Sequence, residues 1–74
     1  MIPMTDIATP ADLGRAIRTQ RRALGFTQEQ LAAAAGVNPR FVVELEGGKT
    51  TAQLGKALQV ARAVGLLVQA RAVS

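Results

Sequence analysis

Apolar positions in this chain recur at helical spacing in four runs, and each run ends at a glycine. Thr9-Pro10 offers an N-cap and a proline at the first helical position, where its missing N–H costs nothing. Leu13, Ala16, Ile17, Gln20 and Leu24 follow, so a first helix is expected over about 10–24, with Arg15, Arg18 and Arg22 on another face. Thr27 with Gln30 has capping-box spacing and opens a short alanine-rich helix, 28–35, that Gly36 terminates. Asn38-Pro39 repeats the cap-plus-proline start at once and predicts a helix over 39–46, ending at Gly47-Gly48. Thr50 with Gln53 reads as a further capping box, followed by Leu54, Ala57, Leu58, Ala61 and Val64, and predicts a fourth helix over 51–64 before Gly65. From Leu66 to Val73 the pattern changes to a loose alternation without a helix cap, which suits a short strand over about 66–72.

The second and third helices are two short elements joined by a tight turn. A helix-turn-helix needs a small residue where its helices touch, a glycine in the turn and apolar residues on the facing sides. Ala32, Gly36 and the set Leu31, Ala35, Val37, Val42 and Leu45 supply all three. No one of these residues is diagnostic, but the combination is.

With 74 residues the chain is read as one domain, 1–74, and so small a domain buries a limited share of its surface. No cysteine or histidine is present to staple it or hold zinc, which leaves packing and oligomerisation. The residues are 49% hydrophobic, but the excess is largely alanine, and Phe26 and Phe41 are the only aromatics available to fill a core. Formal charge is +4 and the pI is near 11.3, with seven arginines among nine cations, so an anionic partner is expected, nucleic acid first and a membrane surface second. No run is long enough to span a bilayer, and Met1 to Thr9 lacks the basic-then-apolar order of a signal peptide, so a cytoplasmic protein without membrane association is expected. Nothing points to an enzyme or a cofactor, since a glycine-rich phosphate loop is missing and the few carboxylates form no acid/base pattern.

Gly25-Phe26-Thr27-Gln28-Glu29-Gln30-Leu31-Ala32, then Gly36-Val37, then Leu45-Glu46-Gly47-Gly48-Lys49, resembles the lambda-repressor-like (XRE) helix-turn-helix family over about two-thirds of the chain. The stretch Thr51 to Val60 and the apolar tail are similar to HipB-type antitoxins in particular. The resemblance implies an all-α, four-helix domain whose third helix enters the DNA major groove, presenting Asn38, Pro39, Arg40, Val43 and Glu44 while Val42 and Leu45 face the core. Arg40 has the fork that matches guanine O6 and N7, whereas Glu44 either accepts from a cytosine amine or braces Arg40. Pro39 and Val43 offer only apolar contact. Gln28, with the Thr27 cap beside it, lies next to a phosphate or merely caps the second helix. Lys49 and Arg18 are phosphate candidates, with Arg15, Arg22 and Lys56 behind them. Arg21 and Glu46 pair within the domain in this family, the alternative being a phosphate contact by Arg21. Phe41 faces either the core or DNA.

A lone strand leaves its backbone groups unpaired. Within the chain only Met1 to Thr5, interrupted by Pro3, is available to the tail, so Leu66, Leu67, Val68, Gln69, Ala70 and Arg71 are expected to pair with the same residues of a second copy; a frayed tail is the alternative. A two-fold homodimer would set two recognition helices about 34 Å apart, suited to a palindrome in duplex DNA. The expected function is transcriptional repression, and the resemblance adds an autoregulating antitoxin with a HipA-like kinase toxin as partner. A stand-alone regulator and a protein-only interaction module are the alternatives.

Overall fold

The computed structural model describes residues 4–73, and within them the order is α1 (Pro10–Ala23), α2 (Gln28–Ala35), α3 (Pro39–Glu46) and α4 (Leu54–Ala63). Local chemistry sets most of these limits. At α1 the Thr9 hydroxyl accepts from the Asp12 amide, while the Asp12 carboxylate accepts from the Thr9 amide, so each satisfies a donor that the helix leaves unpaired. Thr27 and Gln30 make the same reciprocal pair at α2. Asn38 accepts from the Arg40 amide at 2.8 Å and starts α3. The helices also end alike: the amides of Phe26, Val37, Lys49 and Leu66 reach back to the carbonyls of Arg21, Ala32, Glu44 and Ala61, a closure that occupies otherwise orphaned carbonyl groups. Gly36 makes this closure sharp enough for the α2–α3 turn, because its φ of 72° is left-handed and strains a residue with a Cβ.

The fourth helix starts later than its sequence pattern predicts. Lys49 closes α3, and its carbonyl then accepts from the Ala52 amide, which folds 49–52 into a turn. Gln53 becomes the cap residue, with an extended backbone and no side-chain cap bond, so the expected Thr50–Gln53 capping box does not form. The apolar stripe rotates with the helix: Ala57, Val60, Ala61 and Val64 are buried, while Leu54 and Leu58 are exposed. Helix α4 packs against α2.

The core gathers Leu13 and Ile17 from α1, Leu31 and Ala32 from α2, Val42 and Leu45 from α3, Ala57, Val60 and Ala61 from α4, and Val64 just past its end. No aromatic is fully buried. Phe41 is half-buried against the core and Phe26 is exposed, so aliphatic side chains and alanine do the filling. Helix α3 packs against both α1 and α2, which fixes its orientation. The α1–α3 crossing is the tightest point. A Cβ on Gly14 would overlap the Leu45 carbonyl oxygen, so this pair of backbones requires glycine.

The expected strand over 66–72 is not formed in the single chain, and the described residues contain no strand. Leu66 still packs against the core, its amide bonded to Ala61, but Leu67, Val68, Gln69, Ala70 and Arg71 are exposed and lie against no ladder partner. A strand needs a neighbour to take its backbone groups, and one chain provides none here. The alternative partner, Met1 to Thr5, falls largely outside the described residues.

Candidate nucleic-acid interface

Helix α3 divides its residues sharply. Val42 and Leu45 are buried, whereas Asn38, Pro39, Arg40 and Val43 are exposed and Glu44 is half-exposed, so the expected reading residues share the open side of one helix. The Asn38 Oδ1 is committed to its cap, leaving its amide nitrogen as the outward donor. Arg40 extends into solvent with 84% of its side chain exposed.

Beside this face, a shallow concavity brings together Arg18 and Arg22 of α1, Thr27, Gln28 and Glu29 at the start of α2, and Val43 and Gly47 of α3. Amides at a helix N-terminus favour an anion, and two guanidinium groups add positive charge at the rim. The concavity thus has the chemistry of a phosphate contact.

Its floor is held by an ion-pair network. The Arg21 fork donates through Nε to Glu46 Oε2 at 2.7 Å and through Nη2 to Glu46 Oε1 at 2.9 Å, with side chains only 10% and 3% exposed. The hydrogen bond to Glu46 pushes the Arg21 guanidinium further up from its already high range. Its remaining Nη1 donates to the Phe26 carbonyl at 2.9 Å, fixing the loop before α2. Gln28 completes the set by donating from Nε2 to Glu46 Oε1 at 3.2 Å. This contact is neither the phosphate nor the cap that the sequence offers for Gln28. Capping belongs to Thr27 and Gln30, and Gln28 instead ties the start of α2 to the end of α3. An amide has two donors, so one N–H remains for the concavity.

A second cluster lies along the open side of α3. Glu44 Oε2 is 3.7 Å from Arg40 Nε, one turn back, and 3.3 Å from Lys49 Nζ in the following loop. One carboxylate oxygen thus faces both the side chain expected to read a base and the one expected to meet a phosphate. Sequence spacing foreshadowed the Arg40 pair; the Lys49 pair depends on how the glycine loop folds back. Of the other cations, Arg15 pairs with Asp12 at 3.3 Å, and Lys56 is exposed on α4, which packs on α2. Among the described residues no cluster of His, Cys, Asp and Glu suits a metal, and no helix is long and apolar enough to cross a membrane.

A family described as a helix-turn-helix domain matches residues 12–73. Over 59 residues the chain is 51% identical to an uncharacterized HTH-type transcriptional regulator of Sinorhizobium fredii, a match spanning 80% of this chain and 78% of that protein. Over 49 residues it is 43% identical to a second such regulator, from Methanothermobacter thermautotrophicus, spanning 66% and 71% of the two chains. Among solved structures, a HipB–O4 20mer complex matches with a TM-score of 0.85 at 20% identity, covering 96% of this chain and all of that one (100%). A HipA–HipB–O2–O3 complex matches with a TM-score of 0.86 at the same 20% identity and the same coverage of 96% and 100%. At that identity the likeness is one of fold, and the fold is HipB-like.

Proposed function

The chain belongs to the helix-turn-helix family of transcriptional regulators, and from that premise we propose that it is a cytoplasmic, sequence-specific repressor that binds a palindromic operator as a homodimer. One observation carries the reading: α3 buries Val42 and Leu45 while turning Asn38, Pro39, Arg40, Val43 and Glu44 outward beside the basic concavity at α2. In the proposed complex Arg40 reads guanine, Pro39 and Val43 contribute apolar contact, and the α2 N-terminus with Thr27, Gln28 and Arg18 takes a phosphate. Lys49 takes another. Dimerisation uses Leu66 to Arg71, whose exposed Leu67 and Val68 gain burial when two tails pair.

The likeness to HipB supports a further step, autoregulation as the antitoxin of a HipA-like kinase. Co-purification with the product of an adjacent gene tests that step, and a locus with no such neighbour removes it.

Selecting duplexes from a random pool tests the central reading. A two-fold symmetric site should emerge, with affinity falling steeply as salt rises, at a log-log slope of about −0.9 per neutralised phosphate. No enrichment at any ionic strength would refute it. Removing residues 67–74 should convert a dimer to a monomer in sedimentation without unfolding the helices, and a truncated chain that stays dimeric rules out the tail as the interface.

A further inference from the structure

The arrangement around Glu44 carries a consequence for discrimination between DNA sequences. Arg40 and Lys49 both lean on Glu44 Oε2, at 3.7 and 3.3 Å, and the Lys49 amide also donates to the Glu44 carbonyl at 3.1 Å. The carboxylate is 33% exposed, whereas the cations are more open at 84% and 47%. No other acid lies on the open side of α3, since Glu46 is turned into its pair with Arg21. Glu44 is therefore the acid of α3 that an approaching polyanion meets, beside Glu29 at the start of α2. We infer that Glu44 is a specificity-determining residue that weakens binding to unselected DNA, by holding Arg40 and Lys49 on one carboxylate until a duplex supplies replacements for both.

The physical steps are few, and they rest on the DNA-binding reading above. Exposed ion pairs are weak and screened by salt, so a phosphate and a guanine edge can displace the two cations from Glu44. The carboxylate left behind then faces the duplex. Where α3 meets a cytosine amine, or a guanine that keeps Arg40 beside Glu44, a donor satisfies it. On other sequences it stays uncompensated next to like charge, or it retains Lys49 and forfeits a phosphate contact. Both outcomes penalise the wrong duplex.

The test measures Glu44→Gln against the duplex recovered from the random pool and a scrambled duplex of the same length and composition. Glutamine keeps the shape and removes the charge. Binding to the scrambled duplex should tighten roughly three- to fivefold, its salt slope should steepen by up to about 0.9 as Lys49 engages a phosphate, and the ratio of the two affinities should fall. Glu44→Asp, which keeps the charge, should bind the scrambled duplex as weakly as the natural chain. Unchanged affinity of Glu44→Gln for the scrambled duplex, or a loss confined to the selected one, would mean that Glu44 only braces Arg40 and would overturn the inference. Equal behaviour of the two variants would overturn it as well. Failure to recover any enriched duplex with the natural chain strikes the DNA-binding reading itself, so the two failures are distinguishable.

Discussion

Arg21 and Glu46 meet fork to fork, at 2.7 and 2.9 Å, joining the end of α1 to the end of α3 through side chains almost closed to water. The bidentate geometry suits a guanidinium and a carboxylate and cannot be reproduced by lysine. Because the pair also takes up the Phe26 carbonyl and Gln28, it connects three helices at the point where α2 and α3 present their open faces. Removing one partner leaves a buried charge alone, which costs more than the pair contributes. Arg21→Ala and Glu46→Ala should each lower stability by about 3–5 kcal/mol, a large part of what a domain of this size has, and thermal unfolding monitored by circular dichroism will read it. An Arg21→Met, Glu46→Leu double variant should recover much of the loss. A double variant no more stable than either single one would show that the network contributes shape that apolar packing cannot replace.

Two glycines within helices behave oppositely. Gly14 faces the Leu45 carbonyl across the α1–α3 crossing, whereas a Cβ on Gly55 in α4 meets open space. Gly14→Ala should destabilise by about 1–3 kcal/mol, since the helices must separate or bend, despite the better helix propensity of alanine. Gly55→Ala should stabilise by about 0.4–1 kcal/mol through the unfolded chain. Denaturant midpoints of the two variants, moving in opposite directions, check both.

The proposed division of labour on DNA separates Arg40 from Lys49. Arg40→Ala should relax the preference at one base position, at a cost of about 1–3 kcal/mol for the selected duplex. Lys49→Ala should weaken the selected duplex more than a scrambled one, on which Glu44 keeps Lys49 from a phosphate, and reduce the salt slope of the selected duplex by up to about 0.9. Binding titrations at several salt concentrations with single-base variants of the site distinguish the two. Equal losses on every duplex from Arg40→Ala would remove it as a base reader.

Acid should act through Asp12. Its carboxylate accepts from the amides of Ala8 and Thr9 and from Arg15, and the Ala8 bond above all holds it below its ordinary value of 3.8. Because the folded value is depressed, the contribution is fully present above the unfolded carboxylate pKa and is lost as pH falls through the folded one. Melting temperatures of the natural chain and Asp12→Asn should therefore differ near neutral pH and converge once the pH has fallen through the depressed folded value. A constant gap across that range would assign the effect to the shape of the cap and not to its charge.

What was legible in the sequence was the chemistry that acts within about one helical turn. The Thr9, Thr27 and Asn38 caps, the glycine closures and the split of α3 into Val42 and Leu45 on one side and Arg40 and Val43 on the other need only near neighbours and a period of 3.6. The helix-turn-helix follows from those, because Ala32 and Gly36 have their roles wherever the motif sits. The Arg21–Glu46 pair, 25 residues apart, was accessible only through family resemblance, since spacing across two loops carries no geometry of its own.

Tertiary structure decided the rest. The late start of α4, and with it the exposure of Leu54 and Leu58, depends on the turn that follows α3 and on the packing of Ala57 and Ala61 against the bundle. Gly14 gives no signal in the chain until Leu45 is brought against it. Gln28 on Glu46, and Glu44 shared between Arg40 and Lys49, arise where separate elements converge. Local hydrogen bonds and periodicity are properties of a segment; distances between segments exist only once the core has closed, and it is those distances that set Arg40, Glu44 and Lys49 together on one open face.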